Sequence, residues 1–94
     1  MNFLHQEFDA GPDDLIEVML DHAANVQLLD VSNYRDYQAG RQYRYFGGYA
    51  RTSPFRMRPA RRDRWHLVVD LGGMSGSVRA SARLISGLAP ATSV

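Results

Sequence analysis

Apolar and polar residues alternate along this chain in short runs, and a period of two predicts strands rather than helices. The clearest run places Trp65, Leu67, Val69 and Leu71 on one face and His66, Val68 and Asp70 on the other, and ends at Gly72-Gly73. A second run, Val78 to Ile85, follows Met74-Ser75-Gly76-Ser77. Val78, Ala80, Ala82 and Leu84 point inward, with Arg79, Ser81 and Arg83 outward. Two such runs around glycines predict a hairpin with a glycine-containing connection.

The rest of the pattern is compatible with this centre. Asn2 to Phe8 alternates as a first strand, with Leu4, Gln6 and Phe8 sharing one face, and Gly11-Pro12 breaks it. Residues 14–20 fit two descriptions. Asp14 to Glu17 resembles a helix capping box, but Ile16, Val18 and Leu20 alternate with Leu15, Glu17 and Met19, and the run is short, so a strand is expected. Asn25 to Leu29 predicts a strand with Val26 and Leu28 inward. Ser32 or Asn33 then caps a short helical turn over residues 33–39, closed by Gly40. Gln42 to Phe46 is strand-like, Gly47-Gly48 a bend, and Tyr49 to Arg51 its continuation. Pro54 and Pro59 bracket Phe55 to Arg58 as an edge strand.

Six to seven short strands with regular turn signals predict an all-β domain, a small sandwich or barrel-like fold. The 94 residues suffice for one domain, with an ordered core over 2–85 and a flexible tail over 86–94. There are no cysteines, which excludes disulfides, thiolate zinc sites and thiol nucleophiles. No apolar run is long enough for a membrane span and the first residues lack a secretory pattern, so a cytoplasmic location is the default expectation.

The net charge of +1 conceals a division. Residues 1–30 hold seven acids and no arginine, whereas residues 31–64 hold nine arginines against Asp36 and Asp63. All five tyrosines fall between Tyr34 and Tyr49, interleaved with Arg35, Arg41 and Arg44. Aromatic rings stack on planar groups and arginines pair with anions, so Arg41, Tyr43, Arg44 and Tyr45, helped by Arg56 and Arg58, form the candidate ligand-binding surface. Internal charge balance between the two halves is the plainer explanation of the arginines. Nucleic acid ranks below that balance because the net charge is near zero.

Three other features carry weaker chemistry. The turn containing Gly72, Gly73, Gly76 and Ser77 is a candidate anion nest, although positive φ in a strand connection accounts for its glycines equally well. His66 and Asp70 lie about 13 Å apart along one strand and cannot share a metal through that strand alone. His5 and Glu7 come closer but make one weak pair, so no metal site and no catalytic set is assigned. The Phe55–Arg58 edge, if left open, suits homodimerisation or addition of a partner strand.

The segments Asn2 to Phe8, Glu17 to Asp21, Asn25 to Asp30, Ser32 to Tyr34, Tyr45 to Gly48, Arg51 to Pro54 and above all Trp65 to Gly73 resemble the bacterial family catalogued as domain of unknown function 1883. The resemblance covers roughly residues 2–85. It implies a small β-rich domain, sometimes found beside signalling domains such as TIR modules, and transfers no catalytic residues. The expected role is therefore a non-catalytic binding or interaction module for an anionic ligand or an acidic protein surface, without a cofactor. The alternatives are a small enzyme with its site at His66, Asp70 and the Gly72–Ser77 turn, or a structural or oligomerisation domain.

Overall fold

The computed structural model describes residues 2–72 and 76–87. Seven strands and one helix follow in the order β1 (Asn2–Ala10), β2 (Leu15–Leu20), β3 (Ala24–Leu29), α1 (Val31–Gln38), β4 (Phe46–Ala50), β5 (Phe55–Met57), β6 (Asp63–Asp70) and β7 (Ala80–Ile85). They make two antiparallel sheets, one ordered β1-β6-β3-β4 and the other β5-β2-β7. The fold is thus mainly β, as the alternation predicts, and residues 14–20 are strand. No helix among the described residues is long and apolar enough to cross a membrane.

The inward faces meet in one core. Trp65, Leu67 and Val69 of β6, Val26 and Leu28 of β3, and Phe8 and Ala10 of β1 pack against Ile16 and Val18 of β2 and Met57 of β5. β6 holds the centre of the larger sheet because it is apolar inside and, at Val68, apolar outside as well. It pairs with β1 on one edge and β3 on the other.

β6 and β7 do not form the expected hairpin. β7 pairs with β2 in the smaller sheet, so the connection after Asp70 carries the chain from one sheet to the other. A glycine-rich connection reads alike in sequence whether it turns back within a sheet or crosses between two.

The smaller sheet is clamped from outside. Glu17, at the middle of central strand β2, stands opposite Arg56 of β5 and Arg83 of β7. Arg56 Nε donates to its carboxylate at 2.9 Å and Arg83 Nε at 2.7 Å, and the two guanidinium groups cover it. These hydrogen bonds, with Arg83 the stronger, hold the Glu17 carboxyl below its ordinary range. Asp14 makes a second clasp. It accepts from the backbone of Gly11 at 2.9 Å and of Gly87 at 3.2 Å, joining the β1–β2 turn to the end of β7.

Helix α1 is placed by its two ends. Asp30, not Ser32 or Asn33, is the N-cap: its Oδ1 accepts from the backbone N–H of Asn33 at 2.9 Å. At the other end Gly40 has φ of 73°, and Arg41 N donates to Asp36 O while Gly40 N donates to Tyr37 O. This 6→1 and 5→2 pair is a Schellman stop and places glycine just after the last helical turn. From there residues 41–45 run as irregular chain instead of the expected strand, and β4 begins at Phe46. The expected bend at Gly47-Gly48 lies inside β4. A side chain at Gly47 would put its Cβ 2.2 Å from Val26 O, so only glycine lets β4 approach β3 here.

Candidate functional site

The outward face of the larger sheet is where the chain gathers its polar and aromatic groups. β3 and β6 alternate, so Gln27, Leu29, His66, Val68 and Asp70 should face solvent. All five are buried, because α1 and residues 41–45 lie across them. The burial of polar side chains on this face obliges them to pair with one another.

Asp70 is the first hub. Its carboxylate accepts from Asn25 Nδ2 at 3.1 Å, Gln27 Nε2 at 3.2 Å, the Tyr37 hydroxyl at 3.5 Å and the backbone N–H of Gly72 at 2.8 Å. Tyr43 donates in turn to Gln27 Oε1 at 2.6 Å. Burial, reinforced by the negative charge of Asp70, raises the ionisation of both Tyr37 and Tyr43 above the ordinary phenol range. Both therefore act as hydrogen-bond donors at neutral pH.

The histidines are the second. In the β1–β6 ladder Glu7 stands opposite His66, and His5 lies two residues away on the same face of β1. His5 Nε2 and His66 Nδ1 are 2.9 Å apart. Tyr34 of α1 stacks on both imidazoles, at 4.5 Å from His5 and 4.1 Å from His66, and its hydroxyl lies 3.3 Å from His5 Nδ1. Burial lowers the pKa of His66, against a smaller opposing pull from Glu7. The hydrogen bond from Arg64 lowers that of Glu7. One donor atom from each of His5, Glu7 and His66 fits within a span of 4.8 Å.

A cleft of about 630 Å³ opens beside this layer, between the N-terminal turn of α1 and the start of β4. Tyr43, Arg44, Tyr45 and Phe46 line one side, Asp30 and Arg61 the other, with Trp65 beneath. Arg61 lies over the indole ring at 5.0 Å and is held by Asp30 at 2.8 Å and Asp63 at 2.9 Å. A neighbouring depression shares Asn33, Tyr43, Arg44 and Tyr45 and adds Arg41 and Asp36.

The structure brings together four of the six residues singled out for binding. Arg41, Tyr43, Arg44 and Tyr45 meet at the two depressions, with Arg41 paired to Asp36 at 2.9 Å. Arg56 lies instead on the outer face of the other sheet, against Glu17, and Arg58 donates to the Pro12 carbonyl at 2.9 Å. Neither belongs to the cleft. Of the candidate nest, Gly72 donates its N–H to Asp70, Gly76 and Ser77 are exposed, and Gly73 lies outside the described residues. His66 and Asp70 belong to separate clusters. Nothing in the residue pattern announces Arg61, Phe46 or Trp65 at the cleft, nor the meeting of His5 with His66, which only cross-strand pairing joins.

The family model for a domain of unknown function (DUF1883) matches residues 1–87. The chain belongs to this family. No curated protein and no solved structure matches it. Membership in DUF1883 assigns no ligand, and the reading of the site rests on its geometry.

Proposed function

We propose that this DUF1883 domain is a non-catalytic binding module that recognises an anionic ligand bearing a planar group, held in the cleft between α1 and β4. The observation that carries the reading is Arg44. Arg41, Arg56, Arg61, Arg62, Arg64 and Arg83 each pair with a carboxylate. Arg44, like Arg35, Arg51, Arg58 and Arg79, has no such partner among the described residues, but of these five it is the one that lines both depressions, and its backbone N–H is fixed by Asn33 Oδ1 at 2.7 Å. An arginine left unpaired beside Tyr43, Tyr45 and Phe46 offers one charge-assisted contact and several ring faces.

The test is fluorescence anisotropy of labelled single-stranded RNA, single-stranded DNA and a cyclic dinucleotide at low and physiological salt. The reading expects at least one to bind, more weakly as salt rises, with loss on Arg44→Ala and retention on Arg56→Ala. No binding by any probe, or binding indifferent to Arg44→Ala, overturns it and turns attention to acidic protein surfaces.

A second reading, self-association through the edge of β4, is favoured by the half-exposed rings of Phe46 and Tyr49 on that edge strand and of Tyr45 just before it. Sedimentation velocity on the wild type and on Phe46→Asp decides it. A dimer that the substitution dissolves supports this reading, and a monomer at all concentrations removes it.

A further inference from the structure

The cluster at the β1–β6 edge has a composition that the anion cleft does not use. We infer that His5, Glu7 and His66 form a binding site for a divalent first-row transition ion of the zinc type. This goes beyond the cleft reading and does not depend on it.

The ligand chemistry is specific. Two imidazole nitrogens and one carboxylate are a common protein set for zinc, leaving a further position for water or a ligand atom. Here the antiparallel register supplies them without any loop. Glu7 and His66 are directly opposed across the strands, and His5 is the next residue on that face of β1. The three donor atoms already lie within 4.8 Å of one another. A tetrahedral zinc site separates its donors by about 3.4 Å, given metal–ligand bonds near 2.1 Å. The His5–His66 pair, at 2.9 Å, has to open slightly and Glu7 to close. His5 and Glu7 are both exposed and have the side-chain freedom to do so.

The third ligand is held in place. His66 is buried beneath Tyr34, whose ring lies 7° from parallel to the imidazole. Its Nε2 lies 4.0 Å from Glu7 Oε1, too long for a hydrogen bond. His5 also has the outer partner that ligating histidines use. With Nε2 facing the ion, its Nδ1–H points toward the Tyr34 hydroxyl, 3.3 Å away, which selects the tautomer.

Charge is compatible as well. Arg64 donates to Glu7 at 3.1 Å and to Asp9 at 2.8 Å, so two carboxylates face one guanidinium and the local balance with neutral imidazoles is negative. In the metal-free state a single proton bridges His5 Nε2 and His66 Nδ1. When the ion binds through both nitrogens, that proton moves by way of solvent to His66 Nε2, so both imidazoles stay neutral, no net proton is released and no redox step is involved.

The experiment uses the full chain, free of any affinity tag and stripped with chelator, titrated with Zn2+ by calorimetry and with Co2+ by visible absorption. The inference expects one ion per chain, with cobalt bands of a low-coordinate nitrogen and oxygen site. His5→Ala and Glu7→Gln should each weaken binding by about tenfold or more, while His22→Ala, at the separate His22–Asp21 pair, leaves it unchanged. His5 and Glu7 are exposed, so their variants should stay folded; thermal unfolding checks this directly. Absence of binding up to millimolar ion, or binding that survives both substitutions, overturns the inference and leaves the pair as a hydrogen bond under a tyrosine. Arg44→Ala must leave metal binding intact, so failure of the cleft reading and failure of this one are read separately.

Discussion

The side-chain amide of Gln27 on β3 donates to the carboxylate of Asp70 on β6 at 3.2 Å while its oxygen accepts from Tyr43 at 2.6 Å. Gln27 thereby relays the position of one sheet carboxylate to the chain segment that walls the cleft. Replacing Asp70 with alanine leaves the buried Gln27 amide and the half-buried Asn25 and Tyr37 donors without this acceptor. A loss of about 2–3 kcal/mol is expected, or a fall in Tm of roughly 10–20 °C for a domain of this size. Thermal unfolding measures it, and a change under 1 °C would mean that water replaces the carboxylate freely.

Glycine at 47 and at 40 are predicted to differ. Both have positive φ, 117° and 73° respectively. An alanine Cβ at 47 meets Val26 O at 2.2 Å, whereas at 40 it meets nothing within 4 Å. Gly40→Ala should cost only the left-handed backbone penalty of about 1 kcal/mol, and Gly47→Ala clearly more, because β4 must move off β3. Hydrogen exchange of the β4 amides in the Gly47 variant would show the detachment; equal denaturation midpoints for the two variants would refute the distinction.

Acid should weaken the fold in a defined order. Burial keeps the folded-state pKa of His66 below its ordinary 6.5, so the unfolded chain takes up that proton first and a shallow loss begins as pH drops through 6.5. Glu17 and Asp14 are held below 4.5 and 3.8, Glu17 chiefly by Arg83 and then Arg56, Asp14 chiefly by the Gly11 N–H. Their contribution is complete above those values and is lost as pH falls below them, through the lower folded-state pKa values. Denaturant midpoints from pH 8 to pH 3 should show both phases. Glu17→Gln should flatten the lower one and leave the upper one alone.

The charge of the cleft can be altered without touching Arg44. Asp30 both caps α1 and holds Arg61. Asp30→Asn keeps a capping oxygen and removes one negative charge, so stability should change by about 1 kcal/mol or less. An anion in the cleft should bind about threefold more tightly at low salt, and less so as salt screens the charge. Unchanged affinity at every salt concentration would place the anion elsewhere.

Much of the sheet structure was legible in the sequence because alternation is a local property. Trp65, Leu67 and Val69 face the core as their spacing dictates, and so do Ile16 and Val18. What alternation cannot state is what covers the other face. Val68 and His66 read as outward and are outward, yet α1 buries them. Residues 42–45 carry strand-forming tyrosines, but the backbone N–H of Arg44 is taken by the Asn33 side chain rather than by a neighbouring strand. Three cap-forming residues, Asp30, Ser32 and Asn33, occur within one turn, and tertiary context selects Asp30, which also meets Arg61. The tyrosine and arginine cluster was visible as composition; its separation from Arg56 and Arg58 was not, because that depends on which sheet β5 joins.

His5 and His66 are 61 positions apart and touch only when β1 lies beside β6. Closing so long a loop costs chain entropy before any cross-strand contact offsets it. The imidazole pair, and any ion it holds, therefore exists only once β1 has joined β6. A spectroscopic signal from bound cobalt would time the joining of β1 to β6, and ion concentration would slow unfolding while leaving early collapse untouched.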